Sequence, residues 1–398
     1  MSCIRKKRKS KMKILVICQY YYPEPFRISD ICEELVERGH EVFVVTGTPN
    51  YPMGEIYSGY KHGNKSDEIL NGVKIHRCPI LPRKKGTINR FLNYYSYPYL
   101  ACKYVNNLKD FDVVFINQLS PVMMSKAGIK YAKKHHIKSV MYCLDLWPES
   151  LVAGGITRTS PIYKYFHWVS KRIYKNVDVL LGTSKSFAEY FKKEFDICGV
   201  GYLPQYAEDL FQPEKCKKKP NEFIDLMFAG NIGTAQSVGT VIKVAEKCKD
   251  IKNLRWHIVG DGIELTNLKN MSNGLPVTFY GRKPVEDMPK YYAMADAMLV
   301  TMQKDPVLSL TLPGKVQSYM AAGKPIIGSI DGETKKIVTE AECGFVASAE
   351  DVVELEKLVR KFVDMSNKEE LGHNGRMYYE NNFSRDGFID GLEKSFGV

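Results

Sequence analysis

The chain has 398 residues, too many for one ordinary core and suited to two domains. With 44% hydrophobic and 26% charged residues the composition is globular, which excludes a disordered or fibrous chain, and no run of 18 apolar residues is present to span a bilayer. The formal net charge of +12 is carried unevenly, with 32 Lys and Arg against 17 Asp and Glu in residues 1–200 and 25 against 28 in the rest.

Met1–Lys13 is basic (Arg5, Lys6, Lys7, Arg8, Lys9) and lacks the small-residue cleavage site of a signal peptide. Lys13–Cys18 predicts a buried strand, Ser29–Arg38 a helix closed by Gly39, and Glu41–Thr46 the next strand. Further strands are expected at Val73–Cys78, Val113–Asn117, Ser139–Leu144 and Val177–Gly182, with helical stretches between most of them. Pro204, Pro213 and Pro220, with Lys215, Lys217, Lys218 and Lys219, mark a linker. The alternation restarts at Ile224–Ala229 and continues with a helix at Ser237–Cys248, a strand at Arg255–Val259 and a helix near Glu264–Asn270. Val277–Tyr280, a helix at Met288–Met294, Ala297–Thr301, a helix at Val316–Ala322 and Pro325–Ser329 complete the series. The fold class predicted is α/β, with two Rossmann-like doubly wound parallel-sheet domains facing a cleft. The expected divisions are a basic tail 1–12, an N-terminal domain 13–203, a linker 204–220, a C-terminal domain 221–383 and a helix 384–398 that packs back on either domain.

The ten cysteines are scattered without a C-x-x-C pair, which argues against zinc and thioredoxin-type chemistry and for a reduced, cytoplasmic protein. The basic half calls for an anionic partner, whether membrane, nucleic acid or phosphorylated substrate. After the first strand, Gln19–Pro25 contains no glycine, so a dinucleotide fingerprint is absent, as are a P-loop and a D-x-D pair. The second domain offers Gly230-Asn231-Ile232-Gly233-Thr234 between strand and helix, where glycines admit close approach and a helix N-terminus presents N–H groups to an anion; a plain turn is the alternative. Lys315, after Pro313-Gly314, falls in the first turn of a helix, where a cation opposes the dipole and an anionic ligand gives a reason for it; a solvated surface lysine is the alternative. His40 is expected to pack or hydrogen-bond at a turn, and His135-His136 lack ligand spacing.

Several strings together resemble the family 4 retaining glycosyltransferases of the GT-B fold. They are Gly39-His40-Glu41-Val42, Asp145-Leu146-Trp147-Pro148-Glu149, Gly230-Asn231-Ile232-Gly233, Val259-Gly260-Asp261-Gly262, Phe279-Tyr280-Gly281-Arg282, Pro313-Gly314-Lys315 and Tyr319-Met320-Ala321-Ala322-Gly323-Lys324-Pro325. The nearest branch is the bacterial one that builds O-antigen and capsule, including N-acetyl-L-fucosamine transferases. The resemblance implies transfer, with retained configuration, from a nucleotide diphospho-sugar (a UDP-sugar) to a polyprenyl-diphosphate-linked saccharide, without metal or cofactor. It puts the donor on the C-terminal domain, at Gly230, Asn231, Gly233, Thr234, Gln236, Gly281, Arg282, Leu312, Lys315 and Ser318. The family's Glu-x7-Glu pair aligns with Leu310 and Ser318, neither acidic, and Asn231 and Gln236 stand where diphosphate-gripping cations usually lie. Lys315, Arg282 and the Gly233–Thr234 backbone are expected to supply that charge, so Lys315 and Arg282 join Asp145 as catalytic candidates.

The acceptor is expected at Arg27, Asp145 and Glu149, with Asp145 receiving a hydrogen bond from the attacking hydroxyl; capping of a helix near Pro148 is the alternative. Arg83, Lys84, Lys85, Arg90, Phe91, Tyr94 and Tyr95 combine cations with interfacial aromatics, which predicts contact with the anionic inner face of the cell membrane. Rings covering a core are the alternative there, and no nucleic-acid module is present. Competing functions are an enzyme of the UDP-N-acetylglucosamine 2-epimerase type and a sugar-nucleotide-binding scaffold without catalysis.

Overall fold

The computed structural model describes residues 11–82, 87–153 and 155–398, apart from the side chains of residues 87, 88, 90 and 153. Arg83, Lys84, Lys85 and the side chain of Arg90 lie outside the described residues. The chain divides into two compact units: one takes residues up to Thr183, Ala188–Leu203 and Ile389–Val398, the other Ser184–Phe187 and Pro204–Phe388.

The strands of the first unit are β1 (Lys13–Ile17), β2 (Glu41–Gly47), β3 (Asp67–Leu70), β4 (Val73–Cys78), β5 (Val113–Gln118), β6 (Lys138–Cys143), β7 (Val179–Gly182) and β8 (Gly201–Tyr202). They form one sheet in the order β3-β4-β2-β1-β5-β6-β7-β8, parallel except for β3 against β4. Central strands are covered on both faces: every residue of β5 and all of β1 beyond Lys13 is buried, as continuous apolar runs require. The antiparallel edge strand β3 was not foreseen, because its Asp-Glu-Ile-Leu reads as polar. It turns into β4 through Asn71-Gly72, both at positive φ (48° and 80°), the backbone a two-residue hairpin turn requires.

The last helix, Arg385–Phe396, completes this unit with its second half. Glu393 is buried, with His40 Nε2 at 3.0 Å and Arg38 Nη1 at 3.1 Å, and Asp390 takes Arg38 Nη1 at 2.6 Å. His40 Nδ1 accepts from the Met12 amide at 3.2 Å, which leaves Nε2–H to donate to Glu393. The histidine at the turn thus ties the segment entering β1 to the helix Arg385–Phe396.

The second unit contains β9 (Ile224–Ala229), β10 (Leu254–Val259), β11 (Val277–Gly281), β12 (Ala297–Thr301), β13 (Ile326–Ser329) and β14 (Gly344–Ala347). Its sheet runs β11-β10-β9-β12-β13-β14 and is wholly parallel, so the strand order reverses between β9 and β12, where such sheets open a ligand crevice at their carboxyl ends. Residues 204–220, expected as a linker, belong to this unit. Ala207, Phe211 and Cys216 are buried in this unit's core, and Lys218 reaches Asp225 at 2.7 Å. Asp225 also takes Arg255 Nε at 2.7 Å and His257 Nε2 at 2.7 Å. Burial works to raise the Asp225 pKa, but the hydrogen bonds from His257, Arg255 and Lys218 outweigh it and hold the carboxyl well below the usual range.

Candidate functional site

At the carboxyl ends of β9, β10 and β11 the loops continue the sheet's hydrogen bonding. Gly230 N donates to Val259 O (2.9 Å), Ile232 N to Asp261 O (2.8 Å) and Gly260 N to Gly281 O (3.0 Å). Only glycine permits this stack: a Cβ on Gly260, at φ 146°, would lie 1.8 Å from Gly230 O, and one on Gly262 would lie 2.2 Å from Ile232 O. Gly260 and Gly262, part of the family likeness, seat one loop on the other.

The residues after Gly230 depart from expectation. Thr234–Gln236 is a short 3₁₀ turn, and the α-helix begins only at Gly239. Gln236 Oε1 accepts from Gly233 N (3.2 Å) and Asn231 Nδ2 (3.1 Å), so the Gly233 amide is committed within the loop rather than offered to an anion. Thr301 Oγ1, from β12, donates to Gln236 O at 2.6 Å and fixes the turn against the neighbouring strand.

Lys315 meets this loop from the helix Gly314–Ala321. One turn on, buried Tyr319 bonds both sides of Ala229, accepting from its N–H at 3.3 Å and donating to its C=O at 3.1 Å, which pins the helix to the end of β9. The Lys315 ammonium then lies 3.8 Å from the centre of the Phe228 ring and so near Gly230 that a Cβ there would be 2.6 Å from Nζ. It is withdrawn from solvent without a hydrogen-bond partner, and burial pushes its pKa down to about 7. A buried, unpaired ammonium is costly, and an anion seated beside Gly230 would relieve it. The surface-lysine alternative is thereby removed.

Three other donor-side candidates are placed differently. Arg282 is exposed just beyond edge strand β11, two strands out from β9. Leu312 is part of the hydrophobic core. Ser318 is buried and donates back to Gly314 O at 3.3 Å, so its hydroxyl is spent inside its own helix.

In the first unit, Asp145 follows β6 and accepts a short hydrogen bond from Ser120 Oγ, which in turn lies 2.7 Å from Ser150 Oγ. Burial raises the Asp145 pKa, with Ser120 and Ser150 opposing the rise. Glu149 is neither a helix cap nor open to an acceptor: it is buried under Tyr163 Oη (2.8 Å), Tyr190 Oη (3.0 Å) and Arg158 Nη2 (2.8 Å). Arg27 occupies the N-cap position of the helix Ile28–Glu37.

A residue that sequence reasoning passed over is Glu24. Its Oε1 accepts from Asn50 N and Tyr51 N, both at 2.8 Å, and its Oε2 from Tyr21 N at 3.2 Å, joining the loops after β1 and β2. Burial pushes its pKa up to about 7 against these three hydrogen bonds. In the same two loops, the rings of Tyr20, Phe26 and Tyr51 cluster with centroids 5.1 to 5.7 Å apart. The only local signal was an acid between Pro23 and Pro25.

The aromatic segment splits. Tyr94 is core, edge-on to Trp147 at 5.3 Å and Phe166 at 6.1 Å, so it leaves the surface set, whereas Phe91 is exposed and Tyr95 partly so. Among the described residues no group of three His, Cys, Asp or Glu is arranged to hold a metal ion, and no helix is long and apolar enough to cross a membrane.

Comparison with known proteins agrees with this architecture. The family model described as Glycosyltransferase Family 4 matches residues 27–199, and that described as Glycosyl transferases group 1 matches residues 211–377. An Escherichia coli (strain K12) protein provisionally named colanic acid biosynthesis glycosyl transferase WcaI is 25% identical over 338 residues, covering 78% of this chain and 82% of its own. Among solved structures, sucrose-phosphate synthase of Thermosynechococcus elongatus superposes with a TM-score of 0.75 at 16% identity, covering 96% of this chain and 98% of its own. Anabaena HepE, solved with UDP and glucose, gives 0.69 at 14% identity, over 97% and 100%.

Proposed function

We propose that the chain, which its two family models place among the family 4 glycosyltransferases of the GT-B fold, acts in capsule or O-antigen synthesis and transfers a hexosyl unit, with retention, from a UDP-N-acetyl-sugar to a polyprenyl-diphosphate-linked saccharide. The observation that carries this reading is the buried, unpartnered Lys315 ammonium beside Gly230 at the strand-order reversal. As the bond from the sugar to the diphosphate breaks, negative charge gathers on the departing phosphate oxygen, and a preorganised cation there lowers the barrier. In a reaction of this kind Lys315 supplies that charge without a metal, and Asp145, held by Ser120, orients the attacking hydroxyl. Arg27 and the loops braced by Glu24 serve the acceptor at the inner face of the cell membrane.

The test pairs binding with turnover. UDP is expected to raise the thermal midpoint of the wild type but not of Lys315→Met, and Lys315→Met is expected to lose about 100-fold or more in turnover while remaining folded. Normal turnover in Lys315→Met would overturn the role of this lysine. Isomerised sugar nucleotide formed without acceptor would replace the transferase with an epimerase.

A further inference from the structure

Three helices of the first unit, Thr87–Val105, Lys126–His135 and Pro161–Tyr174, contain no Asp or Glu over their whole length, yet carry nine Lys and Arg. The first and third also leave large rings in solvent. Phe91, Tyr95 and Tyr99 recur every four residues on one helix, and Ile162, Tyr165 and Trp168 every three on the other, each series along one face. Trp168 is 54% exposed and Tyr99 72%. The two series meet where Tyr95 Oη and Tyr165 Oη lie 2.9 Å apart. Cations accompany the rings: Lys126 Nζ sits 5.2 Å from the Tyr95 centroid and the Arg172 guanidinium 4.7 Å from that of Trp168. Beneath them Phe166 and Tyr94 are core, so this is the outer side of a packed layer.

We propose that this two-helix aromatic face, centred on Trp168, is the surface by which the protein docks on an anionic phospholipid bilayer. Rings with a polar tip and an apolar body settle at the headgroup level, and cations on helices that carry no carboxylate of their own add electrostatic attraction to acidic lipid. Helices that carry cations and no acids of their own, with Glu194 beside His167 on a neighbouring helix, supply few opposite charges by which a second copy of this face would bind. The proposal deepens the lipid-linked acceptor reading and rests on it for its purpose, but the geometry extends the contact well beyond the segment around residue 90, onto a helix the sequence did not single out.

The chain carries its own reporter. Of its three tryptophans, Trp147 and Trp256 are buried and Trp168 is exposed, so a change in emission on docking reads Trp168. With the full chain, vesicles of phosphatidylcholine and phosphatidylglycerol are expected to shift tryptophan emission to the blue and to co-sediment the protein in a salt-sensitive way, whereas pure phosphatidylcholine does neither. Trp168→Phe removes the shift, and the triple change Ile162→Ser, Tyr165→Ser and Trp168→Ser weakens vesicle binding by roughly tenfold or more. Each variant is checked for an unchanged UDP-induced thermal shift, so that failure to dock is separable from failure of the donor site. Vesicle binding that leaves Trp168 emission unmoved, absence of binding to acidic vesicles, or a Trp168 response to single-stranded RNA or to dimerisation but not to lipid would each overturn the assignment.

Discussion

Lys315 and Phe228 are 87 residues apart in sequence, and the ammonium of one lies 3.8 Å from the ring centre of the other. The ring's π face partly compensates a charge that has left water, and burial still pushes the lysine down to about 7. An anion seated beside Gly230 would restore the charged form.

UDP binding at pH 8 is therefore expected to take up about one proton, as the lysine is largely neutral in the free protein and recharges against the diphosphate. Calorimetric titrations in buffers of different ionisation enthalpy measure this uptake, which Lys315→Met should abolish. The folded pKa lies below the unfolded one, so the free protein gains stability from this group as pH rises from about 7 toward 10.5.

Gly260→Ala drives a methyl group to within 1.8 Å of Gly230 O at a φ of 146°. A loss of about 3 kcal/mol or more is expected, with UDP binding lost alongside it. Gly314→Ala, where an added Cβ meets nothing within 4 Å, should change stability by less than about 0.5 kcal/mol. Thermal unfolding with and without UDP separates the two.

Glu24 titrates in the opposite sense to a surface carboxylate. Its folded pKa of about 7 exceeds the ordinary 4.5, so its contribution is full below the lower value and is lost as pH climbs through the upper, by roughly 3 kcal/mol at most. The amide introduced by Glu24→Gln mimics the protonated acid at every pH, so the stability advantage of the wild type over this variant is expected to shrink between pH 5 and pH 8. Protection of the Asn50 and Tyr51 amides from hydrogen exchange should follow the same course. A pH-independent gap would show that the three hydrogen bonds keep Glu24 ionised.

Asp145 and Glu149 are four residues apart but differ in kind. Asp145→Asn should leave the thermal midpoint nearly unchanged and lower turnover. Glu149→Gln should lower the midpoint, because Arg158 is left without its charge partner and the buried hydroxyls of Tyr163 and Tyr190 face a poorer acceptor. Calorimetry on both variants, with a transfer assay, checks the division.

Glu393→Ala removes the partner of His40 and one partner of Arg38, at a cost of about 3–5 kcal/mol if the cavity stays dry. The first unit should loosen, with faster exchange of the Met12 amide, whose acceptor is His40.

Strands were legible wherever an apolar run is buried on both faces, as in β1, β5, β9 and β12, whose starts or ends were read to within a residue or so. β3 and β14 were not, because a half-exposed edge strand and the short Gly-Phe-Val-Ala carry little hydrophobic signal. In the loop after β9, the sequence pointed to Gly230 and Lys315, which the structure brings side by side. It was silent on where hydrogen bonds are spent: Gly233 on Gln236, Ser318 on Gly314 and Lys218 on Asp225 are pairings decided by three-dimensional neighbours. The cluster of basic residues with three prolines looked like solvated chain because its core residues, Ala207, Phe211 and Cys216, are spaced too irregularly to show a period.

The bond between His40 and Glu393 sets an order on biosynthesis. The helix that supplies Glu393 leaves the ribosome long after the first strands, yet it closes the layer they begin. The leading unit must wait, with His40 and Arg38 uncovered, while nearly two hundred residues of the other unit emerge and fold. A nascent chain stalled before Ile389 is therefore a ready client for chaperones, and a premature stop codon within Ile389–Phe396 damages the unit whose strands were translated earlier.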